Sequence, residues 1–188
     1  MERYSEYKDS GVQWLGQIPG HWDCVPFKSV FSLGKGFSIT KENLREAGVK
    51  VISYGQIHSK QNKYSYIVDD LFRFVDDDYL LTSPQCLVKK EDFLIADTSE
   101  DIEGSGNFVR IDKSDEIFAG YHTIIAKNKQ PDCGKYLSYL MPNKWRLQIW
   151  CQVRGIKVYS ISRAILNSTK FPLPPLCEQE AIVGYLDS

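Results

Sequence analysis

The sequence predicts a mixed α+β fold, in which a small mixed sheet is followed by helices in the second half of the chain and by one final helix. Three observations support this fold class. Short apolar or alternating runs bounded by turn-forming residues occur up to position 126, as strands require. Apolar residues at helical spacing begin after Pro131. A proline-rich segment at 171–176 favours extended backbone and separates the last helix from the others.

The strands are predicted from apolar patterning, over residues 49–57, 93–96, 107–111 and 117–126. The first of these alternates between apolar and polar side chains, and the second is apolar throughout, as a buried strand is. Residues 27–33 form a short element whose type the pattern leaves open. The loop at 97–106 is rich in Asp, Glu, Ser and Gly, which favours an exposed connection.

The helices are predicted from apolar faces and from capping residues. The first carries one apolar face: Tyr136, Leu137, Leu140 and Met141. Pro142 ends this helix, and Asn143 can cap the next one, which is apolar nearly all round. Ser162 can cap a short helix over 163–166. The last helix, over 178–186, carries one stripe: Ala181, Ile182, Tyr185 and Leu186.

Composition predicts a single soluble domain without a membrane partner. The chain has 188 residues, of which 43% are hydrophobic, enough to bury a core. No apolar run approaches the roughly 20 residues that cross a bilayer, and the first ten residues lack an apolar signal core. The five cysteines show no paired zinc-ligand spacing and predict reduced thiols. We therefore expect a cytoplasmic location.

Charge is distributed unevenly along the chain, although the net charge is only −1. Residues 133–177 contain seven basic and no acidic side chains, whereas residues 66–116 contain fourteen acidic and five basic ones. A protein polarised in this way can offer one face to phosphates. The alternative is that the charges mix in three dimensions, which the sequence leaves open.

The sequence carries none of the common enzyme motifs. The chain has no phosphate-binding P-loop, no glycine-rich cofactor fingerprint, and no Asn/Asp-Pro-Pro-aromatic motif of an adenine methyltransferase. The histidines stand alone. One acidic cluster could hold a metal or accept hydrogen bonds from cytosine, or could be a solvated loop: Asp97, Glu100, Asp101 and Glu103.

Two longer stretches resemble one family. Residues 7–22, YKDSGVQWLGQIPGHW, resemble the opening of a target-recognition domain in the specificity subunits of type I restriction–modification enzymes. Residues 171–182, FPLPPLCEQEAI, resemble the closing signature of that domain, with Cys177 where a charged or polar residue is common. Residues 91–96 and 119–122 resemble the family's mid-domain strand and a later turn. These segments occur in the order and spacing of the family and extend over almost the whole chain.

The resemblance implies a target-recognition domain over residues 1–176 and the start of a spacer helix over 177–188. A full subunit of this family is similar to two such domains joined by long helices, each reading half of a split target. One domain with the beginning of one helix therefore implies a half-subunit, and Met1 beside the opening motif favours a first half. The expected half-subunit is a natural short gene, a split gene or a fragment.

The same resemblance implies a non-catalytic DNA-recognition subunit. S-adenosylmethionine, ATP and magnesium are expected on partner subunits, with no cofactor bound by this chain. The implied partners are double-stranded DNA, the methyltransferase subunits, the restriction subunit through the assembled complex, and a possible second copy paired through the last helix. The choice of bases depends on loop geometry and DNA shape as well as on residue identity.

Residue types suggest which side chains would contact phosphates, which would read bases and which would dock partner subunits. The candidates for phosphate contact are Lys35, Lys60, Lys63, Arg154 and Lys157. The candidates for base reading are Ser38, Gln56, His58, Thr98, Ser99, Tyr121 and Tyr159. Gln56 and Arg154 are favoured because Gln pairs with adenine and Arg with guanine through two hydrogen bonds. The candidates for partner docking are Glu178, Gln179, Ile182 and Leu186. The alternative for the DNA-contact candidates is an ordinary surface or loop role, and the alternative for the docking candidates is a terminal helix folded on its own domain.

Three other functions stay open. The domain could belong to a single-chain restriction–methyltransferase, although Met1 beside the opening motif argues against an upstream catalytic domain. A nuclease or other hydrolase could place its site on the acidic loop, and metal-dependent cleavage by the chain alone would establish it. A protein-interaction module would show no salt-dependent DNA binding.

Overall fold

The computed structural model describes residues 4–62 and 65–188. Lys63, one of the predicted phosphate contacts, lies outside these residues. The strands are β1 (Tyr7–Asp9), β2 (Gln17–Pro19), β3 (Asp23–Pro26), β4 (Phe31–Lys35), β5 (Leu44–Arg45), β6 (Val49–Ile52), β7 (Arg73–Val75), β8 (Leu87–Val88), β9 (Phe93–Ala96), β10 (Thr98–Ser99), β11 (Phe108–Arg110), β12 (Ile117–Ala119), β13 (Thr123–Asn128), β14 (Tyr159–Ser160) and β15 (Lys170–Leu173). The α-helices are α1 (Phe27–Val30), α2 (Tyr54–Ile57), α3 (Tyr79–Thr82), α4 (Gly134–Leu140), α5 (Leu147–Trp150), α6 (Arg163–Ser168) and α7 (Leu176–Asp187). The predicted α+β class is confirmed.

Two sheets stack to form the centre of the molecule. An antiparallel four-stranded sheet has the order β11-β9-β13-β4, and a mixed five-stranded sheet has the order β5-β7-β6-β12-β8. Within the second sheet, β6 and β12 run parallel and the other pairs are antiparallel. Among the described residues, three two-stranded ribbons add to the pairing: β1-β2, β3-β15 and β10-β14.

The layers follow from the two-residue period of strand side chains. In β9, Phe93 and Ile95 face the helices, while Leu94 faces the second sheet. In β12, Ile117 faces the first sheet and Phe118 faces the outer layer with α3. The central strands are therefore apolar on both faces, which explains the continuous apolar run predicted at 93–96.

Helices α1 and α4–α7 cover the outer face of the four-stranded sheet. Trp145 is fully buried there and stacks on Phe27 and Phe171, with ring centroids 6.1 and 5.5 Å apart. The predicted helix after Pro131 is confirmed and ends at Leu140. Ser162 caps α6 as predicted, because its Oγ accepts from the Ile165 amide at 3.2 Å. Asn143 does not cap the next turn, and its side chain donates to the Tyr139 carbonyl instead.

Two predicted strands are wrong in extent. The strand predicted over 49–57 ends at Ile52, because Ser53 begins a capping box and residues 54–57 form α2. The strand predicted over 117–126 is divided between the two sheets, as β12 and β13. Residues 120–122 turn between them, with His122 at a positive φ of 54°. Both breaks place polar residues at strand ends.

The closing segment joins the two ends of the chain. The extended segment predicted at 171–176 pairs with β3 as strand β15. The following helix, α7, packs on α4. The predicted division between residues 176 and 177 stays a prediction. In the described ranges, no helix combines the length and apolarity that a bilayer crossing requires.

Candidate nucleic-acid interface

Several strands of both sheets end at one side of the molecule, where polar loops meet. The Gly36 amide donates to the Thr123 carbonyl at 3.0 Å, and the Gly120 amide donates to the Ile52 carbonyl at 2.7 Å. The Asp97 amide donates to the His122 carbonyl at 3.1 Å. We call this surface the polar edge: residues 35–38, 53–58, 97–99 and 119–123, together with β14.

Gly36 allows these loops to approach each other. A Cβ at Gly36 would overlap the Gly120 carbonyl oxygen and the Thr123 hydroxyl. Backbone atoms form part of this obstacle, so the contact admits only glycine without local movement. The two sheets are therefore joined tightly at the polar edge.

Aromatic rings form a cluster on the polar edge. Tyr54 lies 5.4 Å from Tyr121, 5.5 Å from His122 and 6.1 Å from His58, measured between ring centroids. The His122 side chain is 53% exposed, and its Nδ1 lies 3.0 Å from an Asp97 carboxylate oxygen. The predicted readers His58 and Tyr121 are thus brought together through Tyr54, which the sequence did not single out.

The hydrogen bonds of His58 assign its tautomer. Its Nδ1 lies 3.0 Å from the Asn107 amide nitrogen, which is a donor, so Nδ1 accepts. Its Nε2 lies 2.8 Å from the Thr98 carbonyl oxygen and therefore carries the proton. Both ring nitrogens are occupied by these hydrogen bonds, so His58 positions strand β10 at Thr98.

Gln56 already uses one end of its side chain. Its Oε1 accepts from the Ser53 amide at 2.9 Å and caps α2. Pairing with adenine through two hydrogen bonds needs both the oxygen and the amide nitrogen. In this conformation Gln56 offers only its N–H donors to a base.

The short ribbon β10-β14 connects the basic half of the chain to the polar edge. Ser99 pairs with Tyr159, and Thr98 pairs with Ser160. Ser99 is only 6% exposed, and its Oγ accepts from the Asp101 amide at 3.3 Å. Its side chain therefore orders the acidic loop, whereas Thr98 and Tyr159 are partly exposed.

The predicted phosphate contacts that the structure describes are exposed and lie in two parts of the chain. Lys35 is exposed at the end of β4, and Lys60 is exposed just after α2. Ser38, a predicted base reader, is exposed just beyond β4. Arg154 and Lys157 are exposed in the loop before β14. The Arg154 Nη1 donates to the carbonyls of Cys151 and Val153 at 3.0 and 2.9 Å, which anchors this side chain near the end of α5.

Arg146 is a residue that the sequence did not single out. Its Nη1 donates to the Asn107 side-chain oxygen and, at 3.2 Å, to the Glu103 carbonyl. Its guanidinium lies 5.4 Å from the centre of the Trp150 ring. Burial lowers the pKa of Arg146. No sequence signal marks this role, because it requires the helical half to meet the acidic loop.

The acidic loop does not gather its carboxylates. Asp97 faces His122, whereas Asp101 accepts from the Gly104 amide at 2.5 Å. Within residues 4–62 and 65–188, no three His, Cys, Asp or Glu side chains are grouped as a metal site requires. The contacts of these two carboxylates order the turn.

The predicted docking residues have different environments in α7. The Glu178 carboxylate accepts from Tyr4 Oη at 2.7 Å and Trp22 Nε1 at 2.9 Å, and lies 2.5 Å from His21 Nε2. These hydrogen bonds, first that of Tyr4 and then those of His21 and Trp22, lower the pKa of Glu178 to about 2. Gln179 is 3% exposed and donates to the Pro174 carbonyl.

The outer face of α7 is different. Ile182 packs partly against the core, and Leu186 is 49% exposed beside the more exposed Tyr185. Lys135 lies 2.5 Å from Asp187, the last residue of the helix. Glu178 and Gln179 therefore hold α7 on the domain, while Leu186 and Tyr185 are available to a partner.

The geometry is that of a small mixed-sheet domain that carries an ordered polar edge beside a basic loop. The family model described as "Type I restriction modification DNA specificity domain" matches residues 19–188. The chain therefore belongs to that family.

Known relatives agree with this assignment. The chain is 26% identical over 187 residues to the type I restriction enzyme MjaVIII specificity subunit of Methanocaldococcus jannaschii, covering 97% of this chain and 43% of that protein. It thus spans less than half the length of this curated relative.

Solved structures share the fold. The HsdS subunit from Thermoanaerobacter tengcongensis superposes with a TM-score of 0.61 at 18% identity, covering 96% of this chain and 39% of that one. The S subunit of a type I restriction-modification system from M. genitalium gives a TM-score of 0.59 at 17% identity, covering 89% of this chain and 38% of that one.

Proposed function

We propose that this chain recognises one half of a split target in double-stranded DNA and docks the methyltransferase subunits of a type I restriction–modification enzyme. Family membership and the composition of the polar edge support this function. The chain itself would be non-catalytic. S-adenosylmethionine, ATP and magnesium would be bound by partner subunits. The restriction subunit would join through the assembled complex. Binding to host DNA would imply a cytoplasmic location.

The observation that carries the proposal is the convergence of polar side chains from distant parts of the sequence on one edge. Gln56 offers N–H donors, Thr98 and Tyr121 offer hydroxyls, and all three are partly exposed. Base-edge contacts of this kind specify sequence. His58 and Ser99 act behind them, because their polar atoms hold the loop that carries Thr98.

Phosphate contacts would come from exposed basic side chains on the polar edge and in the loop before β14. These side chains are Lys35 on the polar edge, and Arg154 and Lys157 in the loop. Each such contact contributes sequence-independent, salt-dependent affinity and fixes the register of the duplex. Lys60 would extend this contact, Lys63 stays a prediction, and Ser38 would act as a base reader beside Lys35.

Docking would use the exposed side of α7. Leu186 and Tyr185 present apolar surface, which a partner helix would bury. Glu178 and Gln179 would act indirectly, because they set the direction in which α7 leaves the domain. Two copies paired through this helix would read a symmetric split site.

The test is to express the chain with the methyltransferase subunit from its own operon and to map N6-methyladenine across the host DNA. A split motif with symmetric halves would support recognition by two copies. Methylation that appears only with a second recognition domain would support the recognition role in a fragment. No methylation by a soluble, associated pair would contradict the proposal and favour a single-chain enzyme or an interaction module.

Point variants locate the reading face within that assay. Gln56→Ala should relax the motif at one position, and Arg154→Ala should weaken binding at all sequences and reduce its salt dependence. Gln85→Ala and Arg45→Ala are matched controls, since both residues are exposed and Arg45 also donates to nearby carbonyls. Unchanged motif and affinity in both test variants would place the reading face elsewhere.

A further inference from the structure

The loop that precedes β14 carries an exposed apolar side chain at its tip. Ile156 is 96% exposed, and Val158 is 53% exposed. Single exposed apolar residues are common on protein surfaces. Ile156 differs in its setting, because it stands between Arg154 and Lys157 within the stretch 133–177, which contains no acidic residue.

This loop is anchored at both ends. On one side, Val153 is buried and the Arg154 guanidinium donates to two carbonyls near the end of α5. On the other side, Tyr159 pairs with Ser99. Between them, the Gly155 backbone approaches the Val158 carbonyl so closely that a Cβ at Gly155 would overlap it. The tip is therefore held in place before any ligand binds, which lowers the entropic cost of using it.

The position of the loop identifies the chemistry of its occupant. It leads directly into the ribbon with Thr98 and Ser99, next to His58 on the polar edge. Its cations favour a polyanion and disfavour a basic protein surface. An apolar tip between two cations fits a surface that is charged outside and apolar within, which describes stacked base pairs between phosphate backbones.

We propose that Ile156 inserts between neighbouring base pairs of the bound duplex as an apolar wedge, while Arg154 and Lys157 contact the flanking phosphates. Apolar side chains used in this way partly unstack a base step and kink the DNA. The energy of deformation depends on the step, so the wedge adds selectivity for flexible steps at positions without hydrogen-bond readout. This inference rests on the proposed function.

The experiment places 2-aminopurine at successive steps of a duplex that carries the motif found by methylation mapping. The full subunit, assembled with its methyltransferase subunit, should raise fluorescence at one step near the half-site. Ile156→Ala should abolish that rise and weaken binding about tenfold, as expected for the loss of buried methyl groups. Ile156→Leu should retain it. Leu81→Ala is the matched control, because Leu81 is 86% exposed on α3 in the acidic part of the chain.

Salt dependence separates the wedge from a phosphate contact. Ile156→Ala should leave the slope of log affinity against log salt unchanged, whereas Lys157→Ala should lower its magnitude by about one. Equal fluorescence from wild type and Ile156→Ala, with the motif still methylated, would overturn the wedge and leave the proposed function intact. Loss of methyltransferase association in Ile156→Ala would overturn it in favour of protein docking. If the wild-type complex methylates no motif, both the wedge and the proposed function are contradicted.

Discussion

The acidic loop between β10 and β11 is held by a side chain from the helical half of the chain, Arg146. Its Nη1 donates to the side chain of Asn107 and to the Glu103 carbonyl, and its guanidinium lies over Trp150. Asn107 in turn donates to His58 on the polar edge. Arg146→Ala removes these contacts together and should loosen the acidic loop and the adjoining strand β10, which carries Thr98.

The size of the effect follows from these contacts. A hydrogen bond from a charged donor contributes about 1.5–3 kcal/mol, and a partly exposed cation–π contact contributes about 0.5–1 kcal/mol. Desolvation, which lowers the pKa of Arg146, offsets part of this stabilisation. We expect the free energy of unfolding to fall by about 2 kcal/mol, out of a total of about 5–15 kcal/mol.

Urea unfolding and amide hydrogen exchange measure this prediction. Amides of residues 98–107 should exchange faster in Arg146→Ala than in wild type, and a double-mutant cycle with Asn107→Ala should show coupling. Lys144→Ala is the control, because Lys144 is exposed on the same turn and should change stability by less than about 0.5 kcal/mol. Wild-type unfolding and exchange in Arg146→Ala would refute the role assigned to this side chain.

Two further predictions concern α7 and the polar edge. The pKa of Glu178 is about 2, below the ordinary value of about 4.3 for a glutamate. Its carboxylate therefore stabilises the fold above pH about 4.3, and this contribution is lost as the pH falls toward 2. Glu178→Gln should flatten thermal stability against pH in that window; an unchanged profile would show that the contacts with Tyr4 and His21 contribute nothing. Gly36→Ala should destabilise the fold by about 1–3 kcal/mol, because its Cβ would overlap backbone. Gly55→Ala, with open space around the Cβ, should be neutral or stabilising, and equal effects of the two changes would contradict the packing argument.

Local sequence signals predicted the elements that depend on neighbouring residues. The buried strand β9, the helix α4 and the Ser162 cap were found because apolar period and capping chemistry act within a few residues. The strand predicted over 117–126 failed because one apolar run serves two sheets, and only the turn at 120–122 separates them. An apolar run alone does not encode the sheet that each half joins.

The α+β class, the uneven charge and the resemblance to a DNA specificity subunit could be predicted from the sequence, because composition, periodicity and motif order are linear properties. Which candidate side chains can face a ligand depends on the three-dimensional contacts of the folded chain. The side-chain oxygen of Gln56 caps α2, and the side chains of Ser99 and Gln179 are buried. Arg146, which no sequence pattern indicated, contacts Asn107 behind the polar edge. The physical reason is that hydrogen-bond partners and burial depend on contacts between residues far apart in the chain, which local patterns do not record.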